Sequence, residues 1–164
     1  MTNTECPLCV RAATLEAAAA PGWLTRTGHW GVSPHPAIPV PGWIAAQTLR
    51  HTEGLGALNA AESAELGPLL ARLSAAVTRV TGSERVYTYS LGEGCPHTHI
   101  LLGPPRRDLR GPDFVTALLR RDESLADAAG ASRIAGALAD ELNGRPHPPT
   151  TGNPTTGTPT TGKR

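Results

Sequence analysis

Pro96-His97-Thr98-His99-Ile100-Leu101-Leu102 is the stretch on which the reading of this chain turns. In an extended strand alternate side chains share a face, so residues 97, 99 and 101 project together while Thr98, Ile100 and Leu102 face the other way. Two imidazoles and one isobutyl group are therefore expected on a common surface. Neutral imidazole ligates metals and attacks electrophiles near pH 7, whereas leucine does neither.

Around this stretch the pattern alternates between strand and helix. Residues 85–91 (RVYTYSL) mix β-branched and aromatic side chains and predict a strand. Residues 22–33, with Trp23, Leu24, Trp30 and Val32 about Thr27-Gly28, predict two short strands joined by a turn, and 42–49 a third, entered through Pro39 and Pro41-Gly42. Between these groups Leu66, Leu69, Leu70, Leu73, Val77 and Val80 form the apolar stripe of one helix. Asn59 and Glu62 are spaced as a capping pair for it, and Pro68 is expected to bend its first half. After the histidine strand, 112–121 and 124–142 read as helices, the second carrying Leu125, Ile134, Leu138 and Leu142. The order predicts an α+β fold with an antiparallel sheet.

A single domain over residues 1–143 accounts for all of these elements. The last fifteen residues, TTGNP TTGTP TTGKR, are an imperfect repeat too polar to build a core, and 144–164 reads as a disordered tail. Fifteen Lys and Arg against fourteen Asp and Glu leave a formal charge of +1, which offers no broad footprint for nucleic acid or an anionic membrane. A small-molecule ligand is the better expectation. No run approaches the ~20 apolar residues of a membrane span, and the N-terminus lacks the basic and apolar regions of a signal peptide. The expected location is cytoplasmic.

In a reducing compartment Cys6 and Cys9, as C-x-x-C, read as a metal clip rather than a disulfide. Zinc takes four nitrogen or sulfur ligands, so two more are needed. The candidates are His29, His35, His51, His97, His99 and His147, with Cys95 as a sulfur alternative. His29 and His35 sit in turn-rich segments without a partner and His147 borders the tail, so all three are expected to face solvent. Trp23, Trp30 and Trp43 are read as core or dimer contacts, and Arg106, Arg107 and Arg110 as a solvated turn.

Taken in order, Cys6-x-x-Cys9, a strand ending in Arg50-His51, a helix, Val86-Tyr87, the Pro96-His97-Thr98-His99 strand and Pro105-Arg106 resemble the histidine-triad (HIT) superfamily over roughly residues 5–107. The nearest flavour is its zinc-carrying branch, with galactose-1-phosphate uridylyltransferases as more distant relatives. The resemblance implies a sheet of about five strands with a long helix, a homodimer, and zinc on Cys6, Cys9, His51 and His97. It also implies that His99 is the nucleophile that takes a nucleotidyl group. A zinc with four protein ligands has no open position and is structural, holding His97 and through it the strand that bears His99. The competing reading of His99 is a histidine satisfied by a backbone hydrogen bond, or one that lends a ligand to zinc in place of His97.

The departure from that family is Leu101, which stands where a third histidine or a glutamine is usual. Loss of one preorganised donor typically costs about 2.7 to 4 kcal/mol in a transition state. The segment Ser90 to Cys95 is the candidate source of replacement donors: Gly92 and Gly94 let backbone amides approach an anion, and Ser90 or Cys95 adds a side chain. Cys95 itself reads as a small core residue. Ser90, Gly92, Gly94, Cys95 and Leu101 are thus the candidate substrate-contacting positions. The expected function is a HIT-like hydrolase or transferase acting through His99 on a nucleotide or other phosphorylated small molecule. The alternatives are a HIT scaffold repurposed for other, zinc-assisted chemistry on a specialised metabolite, and a non-catalytic nucleotide-binding protein.

Overall fold

The computed structural model describes residues 5–16, 22–106, 109 and 111–145. The Thr/Gly/Pro repeat, His147, Arg107 and Arg110 lie outside them. Five strands, β1 (Thr25–Arg26), β2 (Trp30–Pro34), β3 (Ile44–Thr48), β4 (Tyr87–Tyr89) and β5 (His99–Gly103), form one sheet in the order β1-β2-β3-β5-β4. Every neighbouring pair is antiparallel. Four helices accompany them: α1 (Pro7–Ala13), α2 (Ala60–Thr81), α3 (Gly111–Leu119) and α4 (Ala128–Leu142). The α+β expectation holds.

The period of two along each strand separates the side chains into two layers. Val32, Ile44, Ala46, Ile100 and Leu102 pack against the stripe of α2 and the apolar side of α4. On the other face Ala45, Leu101 and Trp43 meet Phe114 and Leu118 of α3, with Leu125 beyond it. Trp43 is held there by donating its indole N–H to the Pro104 carbonyl at 2.9 Å. Gly103 makes room for it, since a β-carbon on Gly103 would lie 2.5 Å from the indole ring.

Helix α2 begins with the predicted capping box: Asn59 accepts from the Glu62 amide at 2.9 Å, and Glu62 accepts from the Asn59 amide at 2.8 Å. It ends at Gly82, whose φ of +66° suits glycine. Pro68 lies inside the helix, which continues past it for a further three turns. Two expectations need adjustment. The segment predicted as helix from 124 divides, because Asp122 caps a short 3-10 turn at Glu123–Leu125 and Asp127 then caps α4. Helix α1 was not anticipated: Pro7 opens it and Cys6 is its N-cap residue.

Glu62 also ties the strand end to the helix, accepting from Arg50 Nε at 2.9 Å and Nη2 at 2.7 Å while itself only 1% exposed. The hydrogen-bonded Arg50 holds the Glu62 carboxyl below its usual value against the opposing effect of burial, and the Asn59 amide adds to the lowering. This stabilisation is complete above the ordinary glutamate range near 4.5 and is lost as pH falls through the lower folded-state value. Glu62→Ala removes both Arg50–Glu62 bonds and half of the capping box, leaving the solvated Arg50 only its bond to the Ala57 carbonyl, and is expected to cost roughly 1 to 2 kcal/mol in urea unfolding at neutral pH. The deficit should narrow in acid.

Candidate functional site

The site grows from the start of α1. Cys6, at the N-cap, and Cys9, in the first turn, are brought to the same side of a helix terminus. Burial pushes the Cys6 thiol up, but the amides of Cys9 and Leu8, with His51 nearby, outweigh it and the net direction is down. A helix N-terminus favours the thiolate in this way. Gln47 on β3 anchors α1 by donating to the Leu8 carbonyl at 2.8 Å.

Two histidines close over the thiols. His97 Nδ1 lies 3.4 Å from both Cys6 Sγ and Cys9 Sγ, and His51 Nδ1 lies 3.3 Å from Cys9 Sγ. Each ring is oriented from its far side. His97 Nε2–H donates to the Thr48 carbonyl at 2.8 Å, and His51 Nε2–H to Glu53 at 3.3 Å. Burial holds the His97 pKa down, whereas the Glu53 hydrogen bond holds that of His51 up. All four ligand atoms lie within 4.8 Å of one another. Tetrahedral zinc, with bonds of about 2.3 Å to sulfur and about 2.0 to 2.1 Å to nitrogen, separates neighbouring S and N donors by about 3.5 Å. The donor set fits such an ion, and the Thr48 and Glu53 contacts supply the outer hydrogen bonds that orient metal-binding imidazoles.

The three positions expected on one surface occupy three different environments. His97 precedes β5 and is 1% exposed among the cysteines. His99 opens β5, half-buried, with its Nδ1 2.7 Å from the His97 carbonyl. A carbonyl can only accept, so Nδ1 carries the proton and the Nε2 lone pair is left for chemistry. Leu101 is 8% exposed and packs with Trp43, Phe114 and Leu118 beneath α3.

Ser90 donates its hydroxyl to the His99 carbonyl at 2.6 Å, so that proton braces the strand. A β-carbon on Gly92 would meet nothing within 4 Å, and one on Gly94 would lie 3.7 Å from Arg121 Nη2. Cys95, partly buried against the Cys6, Leu8 and Cys9 cluster, has its Sγ 3.9 Å from that of Cys6.

His29 and His35 correct the sequence expectation. His29 pairs with Glu65 at 2.8 Å through Nδ1, and His35 is partly buried and accepts from the amides of Ala37 and Ile38 at 3.2 Å. His29 is tied to Glu65 on α2, a tertiary contact no local pattern carries, whereas the His35 ring folds over its own turn. Arg121 was not singled out at all; it follows α3, outside the stretch that resembles the HIT superfamily.

No family model and no curated protein matches this chain. Solved structures do. The NitFhit protein of C. elegans is similar at a TM-score of 0.57 and 18% identity over 74% of this chain, which spans only 27% of NitFhit. A diadenosine triphosphate hydrolase of Plasmodium falciparum, solved with cyclomarin A, matches at 0.57 and 13% identity, covering 75% of this chain and 77% of its own. A zinc-bound histidine triad family protein from Mycobacterium smegmatis matches at 0.55 and 14% identity, covering 82% and 95%. At these identities the likeness is one of fold: the chain has the histidine-triad fold.

Proposed function

We propose that this chain is an enzyme of the histidine-triad type that acts on a nucleotide or other phosphorylated small molecule, with His99 as nucleophile and a structural zinc on Cys6, Cys9, His51 and His97. A backbone bond alone would equally suit a structural histidine; the observation that carries the reading is that this bond uses only Nδ1 and leaves Nε2 of the half-buried His99 ring without a partner among the described residues, beside a four-ligand cluster at the same strand entry. Proteins that share this fold include a diadenosine triphosphate hydrolase and, separately, a zinc-bound histidine triad family protein, so phosphate chemistry and a bound metal each have a precedent in it.

In this reading His99 Nε2 attacks the α-phosphorus. A phosphorus–nitrogen bond forms as the bond to the leaving phosphate oxygen breaks, and that oxygen takes its proton from solvent. Water then cleaves the phosphoramidate, releasing the nucleoside monophosphate and restoring neutral His99; transfer to another hydroxyl in place of water makes the same site a transferase. Cys6, Cys9, His51 and His97 would hold a zinc that serves structure, fixing the His97 ring, rather than the reaction. The chain's own work is to hold the His99 tautomer and to position the strand. A panel of dinucleoside polyphosphates, nucleoside phosphoramidates and nucleotide sugars tests this, with turnover expected for at least one and none by His99→Ala. The same preparations, by light scattering, are expected to be homodimers.

A second reading, a HIT scaffold serving another chemistry on a specialised metabolite, draws on Leu101, whose burial under α3 leaves the third position without a polar group. Under either reading Leu101→His is expected to destabilise the domain by roughly 2 to 4 kcal/mol, because an imidazole replaces a well-packed apolar group with no hydrogen-bond partner provided. It should give no gain in hydrolysis. A stable Leu101→His protein with raised turnover would mean that α3 leaves this position open to substrate.

A further inference from the structure

Helix α3 closes on Arg121. The Arg121 amide donates to the Leu118 carbonyl at 3.1 Å and that of Asp122 to the Ala117 carbonyl at 2.9 Å, the paired bonds that end a helix over a left-handed residue. Glycine is the usual occupant, because other residues are strained there. Arg121, with φ +56°, is the one non-glycine residue with positive φ among those described. Non-glycine strain of this kind gathers where a side chain has a task.

The guanidinium reaches the loop that leads into the histidine strand. A β-carbon on Gly94 would stand 3.7 Å from Arg121 Nη2, and Gly94 belongs to the loop that Ser90 fastens to the His99 carbonyl. His35 lies on the same side of the sheet as His99. Its amide donates to the Trp43 carbonyl and so extends the β2–β3 pairing by one row, and alternation along β2 puts 31, 33 and 35 on the face shared by 47 and 99. Burial, with the Arg121 guanidinium adding to it, pushes the His35 pKa down to about 4. The ring is therefore neutral. Its Nδ1 accepts from two amides, so its proton is on Nε2. Among the described residues no carboxylate pairs with Arg121, His35 or His99. The result is a face that carries a permanent cation, a neutral N–H donor and an imidazole nitrogen, none of them paired with a carboxylate among the described residues.

We propose that Arg121, assisted by the His35 Nε2–H, binds the anionic phosphate group of the substrate that His99 attacks, and so supplies from the end of α3 the polar contact absent at position 101. The substrate class is a phosphate ester or anhydride whose oxygens match a planar guanidinium fork. One element performs both functions: α3 seals Leu101 under Phe114 and Leu118, and its terminal turn delivers the arginine. The inference rests on the reading of His99 as nucleophile.

The test is calorimetric titration of the zinc-loaded full chain with adenosine monophosphate, with inorganic pyrophosphate, and with uncharged adenosine. Arg121→Gly is the informative variant, since a left-handed position accepts glycine and its Tm should not fall. It is expected to weaken the monophosphate or pyrophosphate roughly 10- to 100-fold, the usual worth of a charge-assisted hydrogen bond, and to leave any adenosine binding unchanged. Arg121→Lys should recover part of the loss, and Arg120→Gln should lie within about 2-fold of wild type. His99→Ala should bind the anion while losing turnover. If Arg121→Gly binds both anions as wild type does, the assignment of Arg121 is overturned while that of His99 stands. If Arg121→Gly loses the anion but His99→Ala turns over normally, the nucleophile is misassigned and the anion site stands. Failure of wild type to bind either anion overturns the anion site.

Discussion

Stripping the metal with a chelator is expected to lower the Tm by at least about 10 °C, and Cys9→Ala to do the same without chelator. The argument is one of scale. Apparent binding free energies of structural zinc sites run to about 10 to 16 kcal/mol, against roughly 5 to 15 kcal/mol for the whole stability of a small domain. Even about 5 kcal/mol of loss corresponds to that shift in Tm for a domain of this size. The loss should be local in origin. Cys6 and Cys9 hold α1, which meets the sheet through Gln47, and His97 holds the entry to β5 through the Thr48 carbonyl. Without the metal, two thiols and two imidazoles converge with little but weak S···N contacts between them. Metal analysis should give one zinc per chain. A chelated protein with unchanged Tm and spectrum would remove the structural role.

His99→Ala is expected to reduce turnover at least ~1,000-fold, with the fold and the zinc retained, because a nucleophile has no substitute in a two-step displacement. His99 makes one side-chain hydrogen bond and is only half-buried, so its removal should change stability by less than about 1 kcal/mol. His97→Ala should look different. Its ring is buried and contacts both cysteines, so activity and stability should fall together. Thermal unfolding beside kinetics therefore separates the duties of two histidines two residues apart.

The fold was legible because its signals are local. The stripe of α2, the Asn59-Glu62 box and the alternation in the strands each act over a few residues and agree with one another. The short α1 escaped notice because Cys6-Pro7-Leu8-Cys9 has too little periodicity to show a helix, and because Pro7, a usual breaker, here opens one. Residues 124–142 read as one helix until Asp127 is seen to cap a new start.

The candidate site divides along the same line. Cys6 and Cys9 announce a metal by spacing alone, whereas His51 and His97 stood out only through the resemblance, and the chain brings all four together. Alternation was enough to put 97, 99 and 101 on one side of a strand. It was blind to α3, which arrives from later in the chain to bury Leu101, and to Arg121, which the same helix brings toward Gly94. His35 shows the same limit: its loop looks exposed in sequence, and only tertiary contact puts it on the face of His99.

The central claim, that His99 is a nucleophile, is tested most directly by intact-mass spectrometry of the zinc-loaded protein, mixed with a dinucleoside polyphosphate and denatured within the first turnover under alkaline conditions. The account predicts an adduct of one nucleoside monophosphate per chain, mapped by peptide fragmentation to His99 and missing from His99→Ala. Turnover of that substrate with no adduct, or with an adduct at any other residue, would contradict it.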